Sequence, residues 1–465
     1  MEIADVISDL RSRHSVILDR LIEFASIPSV STDPRHVADV RAAAAWVHAQ
    51  LAAAGPITVR KLDSGGNPIV YGEWLGAPGR PTVLVYGHYD VQPPDPLDRW
   101  DSPPFAPTIR NGRLYARGVS DDKGPMLIPI EVARSFFAIA GALPLNVKFL
   151  FEGEEEMGSP SLDSAIRGNA NLLAADVVLS ADGGMWRINE PSLTVSSRGI
   201  AALELTVTAA TKDLHSGRHG GGVANPLHAL ASLIASLHDA HGRVSVNRFY
   251  DSVIEIPAAE RADIAALPFD ESEYLAQVGA PATFGEEGYS TLERQWIRPT
   301  LEVNGMWGGY QGPGEKTVIP SEARAKITCR LVPDQDPDEI IALVRDHMQR
   351  HTPRGTTLSV TVADHVAWPA SIPTNNFALV AASQALKAVY GVPPLLVRMG
   401  GTVPIAELFQ RHMKLDTVFF SFSTADEDYH APNEFFRVHR LHEGLQAWAR
   451  LWTVLGATSV ESSRE

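Results

Sequence analysis

The sequence predicts an α/β protein: a discontinuous α/β domain with a smaller α+β, ferredoxin-like domain inserted into it. Three observations carry that prediction. Between residues 58 and 182, β-branched and aromatic runs alternate with stretches of helical periodicity, the rhythm of a sheet covered on both faces. From 199 to 368 the order becomes β-α-β-β-α-β, the split βαβ pattern. After Pro369 the first rhythm resumes. The boundaries are therefore 1–198 and 369–465 for the two parts of the larger domain, and 199–368 for the insertion.

Each element has a local reason. Residues 2 to 27 place apolar side chains at helical spacing and stop near Pro28, and 36 to 54 form an Ala-rich helix ending at Gly55. ITVRKL, PIVYGEW and TVLVYGHYDV read as strands, separated by Gly/Pro punctuation such as GAPGRP. A helix over 125–140, the strand NVKFLF, a helix near 161–174 and the strand VVLSAD follow. In the insertion, ALELTVTA, PTLEVN, TVIPSEARAKITCRLV and TLSVTVADHV are strands, and 225–241 and 337–351 are helices. Residues 250–297 show no pattern that assigns them an element. Helices near 376–390 and 438–455 flank the strand DTVFFSF, and 457–465 read as a polar tail.

Composition excludes several functions. The chain has 465 residues, 45% hydrophobic and 20% charged, enough for two or three domains with sizeable cores. A net charge of −15, with no dense Lys/Arg block, argues against nucleic acid and membrane surfaces and for a small molecule. Cys329 is the only cysteine, so neither a disulfide framework nor a multi-thiolate zinc site can form. No window approaches 18 apolar residues, and the N-terminal segment mixes charge with apolar residues, so a cytoplasmic location is expected.

The chemistry-bearing residues cluster at strand ends. His88 and Asp90 follow TVLVYG, Asp121 and Asp122 lie in GVSDDKG, Glu154 to Glu156 follow NVKFLF, Asp182 follows VVLS, and His430 lies in DEDYHAPNE after DTVFFSFS. In open α/β sheets, sites form beyond the carboxyl ends of strands, so these groups can share a crevice. That many carboxylates without Lys or Arg among them repel one another, and a divalent cation resolves the repulsion. Histidine and carboxylate ligands without thiolate suit zinc, with manganese or cobalt as substitutes, and several acidic ligands favour two ions. In His88-x-Asp90 the strand period turns both side chains one way, so Asp90 can accept the other imidazole N–H. Taken singly, each motif has a bland reading: an incidental pair, an acidic turn, or a solvated helix N-terminus. Their occurrence in order, each at a strand or loop exit, favours the site.

Together GHYDVQP, GVSDDKG, EGEEEMGS, SADGG, DLHSG and DYHAPNE resemble the ordered motifs of the dinuclear-zinc metallopeptidases. That family includes carnosinase-like dipeptidases, aminoacylases, carboxypeptidase G and succinyl-diaminopimelate desuccinylase. WDSPPF, GEKTVIP and CRLVP make the chain most similar to the carnosinase and cytosolic nonspecific dipeptidase branch. The resemblance implies a zinc-peptidase catalytic domain with an inserted lid and dimerisation domain. It implies that His88 and Asp182 bind one zinc, that Glu156 and His430 bind the other, and that Asp121 bridges them. It further implies a cis bond between Asp121 and Asp122, Glu155 as the general base on a water bridging the two ions, Asp90 as the residue orienting His88, and Glu154 as a spare carboxylate. His215 of DLHSG would stabilise the oxyanion from the partner subunit of a homodimer. Arg330 would take the substrate's terminal carboxylate, with Thr317 and Thr402 beside it; ADHVAWP, which holds His365, aligns poorly. Strand alternation in ARAKITCRLVP puts Cys329 on the apolar face and Arg330 on the other. The implied activity is a dipeptidase releasing a C-terminal amino acid, and the nearest alternative is a deacylase or decarbamoylase of N-acyl or N-carbamoyl amino acids. A non-catalytic peptide- or metal-binding homologue is disfavoured by the full ligand set, and a serine hydrolase by the lack of G-x-S-x-G.

Overall fold

In the computed structural model of the chain, residues 2–363 and 366–458 are described. His365 and most of the polar tail lie outside them. The chain folds into two compact units, one of Met1–Val195, Ile372–Val397 and Leu408–Glu465, the other of Ser196–Ser371 and Arg398–Glu407.

The first unit is built on a six-stranded sheet in the order Thr58–Leu62, Ile69–Trp74, Asn146–Glu152, Thr82–His88, Val177–Ser180, Thr417–Phe419. The first three are antiparallel neighbours and the last four run parallel. Asn146–Glu152 is buried along its whole length, as expected of a central strand covered on both faces. Helix Gly124–Ala140 and helix Val438–Ala457 bring Phe136, Trp448 and Trp452 into this core, all fully buried. The N-terminal segment differs from the single helix expected over 2–27. It forms Ile3–Ser12 and His14–Ala25, broken at Arg13, whose guanidinium pairs with Asp9 at 2.8 Å and with the buried Glu131 at 3.0 Å.

The second unit has a four-stranded antiparallel sheet in the order Thr300–Gly308, Glu322–Leu331, Gly199–Thr208, Thr357–Val362. Numbered along the chain this is 2-3-1-4, the ferredoxin-like order. Helices Pro226–Ala235 and Pro337–His351 cover one face. Glu322–Leu331 alternates as its sequence requires: Ala323, Ala325, Ile327, Cys329 and Leu331 are buried, and Arg324, Lys326, Thr328 and Arg330 are not. Pro320 and Ser321 separate it from a two-residue strand, Val318–Ile319, so TVIPSEARAKITCRLV is two strands and not one. Residues 250–297 carry three short helices, Ala258–Ala265, Glu271–Val278 and Thr291–Trp296. The segment Arg398–Glu407, grouped by sequence with the larger domain, packs in this unit because Arg398 pairs with Glu260 at 2.5 Å and Arg198 donates to the carbonyl of Gly400 at 2.9 Å. Among the described residues no helix is long and apolar enough to cross a membrane.

Candidate metal centre

Three parallel neighbours supply the centre of the first unit. His88 ends Thr82–His88 and Asp90 follows it, Glu155 and Glu156 open the turn after Asn146–Glu152, and Asp182 follows Val177–Ser180. Asp121 comes from the turn Val119–Lys123 ahead of helix Gly124–Ala140 and departs from helical geometry at φ −124°, ψ 91°. The peptide bond between Asp121 and Asp122 is cis. His430 sits in a tight loop in which Asp428, His430 and Asn433 all adopt left-handed backbone, a conformation uncommon outside glycine that Asp, His and Asn tolerate better than other residues. Gly118, at φ 76°, begins the Asp121 turn, and a Cβ there would lie 2.0 Å from Cγ1 of Val91.

Asp121 is the hub. One carboxylate oxygen meets Nε2 of His88 at 3.1 Å and the other meets Nε2 of His430 at 3.2 Å. His430 also meets Glu156 at 3.1 Å. Two sets of donor atoms result, His88, Asp121 and Asp182 in one and Asp121, Glu156 and His430 in the other, each lying within 4.8 Å of one another. The far side of the fully buried His88 ring faces Asp90, with Nδ1 at 3.1 Å from its carbonyl and 3.5 Å from its carboxylate.

The charges behave as an uncompensated acidic cluster must. Burial raises Glu155 well above the usual carboxylate range, and Asp182, Asp121 and Glu156 add to it in opposition to His88. Burial, with Asp121, brings Asp182 up to about 6. Burial also pushes Asp121 up, but the hydrogen bonds from His430 and His88 outweigh it and hold Asp121 well below its ordinary value. His430 is raised to about 10 by its hydrogen bonds to Asp121 and Glu156. The surplus of negative charge thus draws protons onto imidazoles that nearly face one another across a carboxylate. That donor set fits divalent cations, which supply the same positive charge in more concentrated form.

Gln92, Glu427 and Glu434, and a second set of contacts made by Asp90, were not signalled by the sequence. The carboxylate of Asp90 accepts the backbone N–H of Glu155 at 3.3 Å and of Glu156 at 3.1 Å, so it fixes that turn as well as facing His88. Gln92 donates to Glu156 Oε2 at 2.9 Å. Glu434, 1% exposed, accepts from Arg117 at 2.7 Å and from the backbone N–H groups of Gly118, Ser120 and Asp121 at 2.8, 3.0 and 3.2 Å. Glu427 accepts from the Ser120 hydroxyl at 2.5 Å. Glu154 turns away from the cluster, accepting from the N–H of Asn67 at 2.7 Å and of Ser161 at 3.3 Å.

The remaining candidates belong to the second unit. His215 and Thr317 flank a short strand pair, with Ser216 N–H donating to the Thr317 carbonyl at 3.0 Å, and the exposed His215 accepts from Gly217 N–H at 3.0 Å. Arg330 donates to the Thr402 hydroxyl at 3.0 Å.

A sheet whose parallel strands deliver two histidines and several carboxylates to its carboxyl edge, in a chain that also carries a ferredoxin-like unit, defines a metallopeptidase architecture. The sequence profile described as Peptidase family M20/M25/M40 matches residues 84–454, and the chain belongs to that family. It is 30% identical to the Cys-Gly metallodipeptidase of Saccharomyces cerevisiae over 96% of this chain and 97% of that one. It is 31% identical to the human Beta-Ala-His dipeptidase over 82% of this chain and 76% of that one. Its fold is similar to that of an M20 family metallo-carboxypeptidase from Sulfolobus solfataricus, with a TM-score of 0.81, 32% identity, and coverage of 95% of this chain and 99% of that chain.

Cation uptake at pH 8 should release at least one proton per chain. His430, raised to about 10, is protonated there and must lose that proton to become a ligand. Calorimetry in two buffers of different ionisation enthalpy measures the release, and equal heats in both would exclude it. Glu434→Gln should weaken divalent-cation binding by about 10–100-fold, the range for groups that orient ligands, with the far-UV spectrum preserved. Chelator competition reads the affinity; an unchanged value would mean that the Asp121 turn holds itself.

Proposed function

We propose that the chain is a metal-dependent dipeptidase, hydrolysing the amide bond of small peptides to release a C-terminal amino acid. The observation that carries this reading is Asp121, one oxygen directed to each of two histidines in donor sets otherwise completed by Asp182 and Glu156. The named activities of the yeast and human relatives support the substrate class. His88 and Asp182 would hold one cation, Glu156 and His430 a second, with Asp121 shared. Zinc suits this thiolate-free set, with manganese or cobalt as substitutes.

Cations so placed act as Lewis acids and lower the pKa of water. The chain's own residues do the rest. Glu155 takes the proton of the attacking water and returns it to the leaving amine, a task that favours a carboxylate whose pKa lies above the ordinary range. Asp90 fixes the tautomer of His88 and, through its bonds to the Glu155 and Glu156 N–H groups, ties the base to a ligand. Arg330, backed by Thr402, grips the substrate carboxylate, with Thr317 alongside. His215 contributes an oxyanion donor to the partner subunit of a homodimer.

Glu155→Gln should bind as many cations as the parent while kcat falls by about 10²–10⁴-fold; substantial remaining turnover would assign the base elsewhere. Mixing inactive His215→Ala chains with inactive Glu155→Gln chains should restore part of the activity in exchanged heterodimers. No recovery after verified exchange would confine His215 to its own subunit.

A further inference from the structure

The second unit contains a partly open cavity of about 430 Å³, within the ~300–1,000 Å³ of small-molecule sites. Its lining contains four arginines, 198, 294, 298 and 330, and two glutamates, 286 and 302. Glu286 is already committed: it receives Arg298 through two bonds of 2.7 and 2.8 Å, both side chains buried, and Arg243 at 3.4 Å. Among the described residues no carboxylate pairs with the other three. Arg198 donates only to carbonyls, of Gly400 at 2.9 Å and of Arg294 and Arg298 at 3.5 Å. Arg294 donates to the carbonyls of Glu286 at 2.9 Å and Phe284 at 3.3 Å. Arg330 reaches only the Thr402 hydroxyl. Glu302, the one remaining carboxylate of the lining, stands exposed on an edge strand.

Carbonyls fix the plane of a guanidinium without neutralising its charge, and each guanidinium carries five N–H donors in a fixed fork suited to carboxylate. Burial, and after it the neighbouring Arg330, lower Arg198 to about 10, with Glu302 opposing them in part. Such a concentration of unpaired cations in a chain of net charge −15 is built for an anion. If Arg330 takes one carboxylate, Arg198 and Arg294 remain for a second.

We infer that this cavity receives the acidic side chain of the substrate's C-terminal residue, so that the preferred dipeptides end in Asp or Glu. The inference rests on the dipeptidase reading. It is tested by kcat/KM of the cation-loaded chain on Ala-Glu, Ala-Gln, Ala-Asp and Ala-Asn. Each acid should exceed its amide by at least about tenfold, the scale of one charge-assisted bond. Arg294→Gln should reduce the ratio to below about threefold, and Arg294→Lys should retain most of it. Equal turnover of acids and amides would overturn the inference while leaving the dipeptidase intact. Glutarate, a dicarboxylate with no amide bond, should bind more tightly than glutaramate by calorimetry and inhibit competitively. Equal binding, or activation by glutarate, would overturn the inference. Failure to cleave any dipeptide would defeat the functional reading instead, and glutarate binding that weakens in Arg294→Gln would still establish the anion site.

Discussion

The first unit is organised around a repulsion. Asp121, Glu155, Glu156 and Asp182 are gathered at one edge of a sheet with no Lys or Arg paired to them among the described residues. Two unit charges about 4 Å apart repel by roughly 4 kcal/mol at an effective dielectric constant of 20. A single charge-assisted hydrogen bond contributes about 1.5–3 kcal/mol, so one such bond does not hold a carboxylate against two like neighbours. Several do. Glu434 accepts three backbone N–H groups of the Asp121 turn and the guanidinium of Arg117, and Asp90 accepts two from the Glu155 turn. The anions nearest the centre are therefore fixed through their backbones by further anions, each buried and itself compensated by N–H groups or by Arg117.

This division of labour explains what could be read from the sequence and what could not. Ligand candidates sit directly after apolar strands, so strand period and chain order expose them: His88 and Asp90, Glu155 and Glu156, and Asp182 all follow such runs. The groups that hold them are invisible locally. Glu434 grips residues more than 300 positions away, and nothing in NEFF marks it as different from a surface glutamate. Glu154 lies in the same acidic run as Glu155 and Glu156, and only the fold turns it toward Asn67.

The elements show the same limit. Helices Pro337–His351 and Phe377–Tyr390 fall where periodicity and capping put them, Asp336 and Asn376 accepting from their first turns. The break at Arg13 has no Pro or Gly to announce it, and the pairing found there is with the distant Glu131, which also draws Arg20 at 2.8 Å. Helices of six to eight residues in the 250–297 segment are shorter than the window over which periodicity can be judged. Helix Pro404–Met413 carries a proline at its first position, a signal the sequence offers but to which no element was assigned.

The second unit meets the opposite electrostatic problem with the same strand alternation. In Glu322–Leu331 the odd positions from 323 to 331 bury against helices, which leaves Thr328 and Arg330 on the other face. Pairing sets Arg330 opposite Thr300 and Ile200, and Thr328 opposite Glu302, so the polar face of one strand continues into the next. A slip of one residue would bury the guanidinium and expose Cys329, a change the apolar core forbids. The hydrophobic register thus fixes where the charge must stand. What the core cannot do is neutralise it, and Glu286, the one glutamate of the cavity lining in close pairing among the described residues, is taken by Arg298 and Arg243. The chain therefore holds an acidic cluster suited to cations in one unit and unpaired arginines suited to carboxylates in the other, and a peptidase acting on a free C-terminus calls for both chemistries.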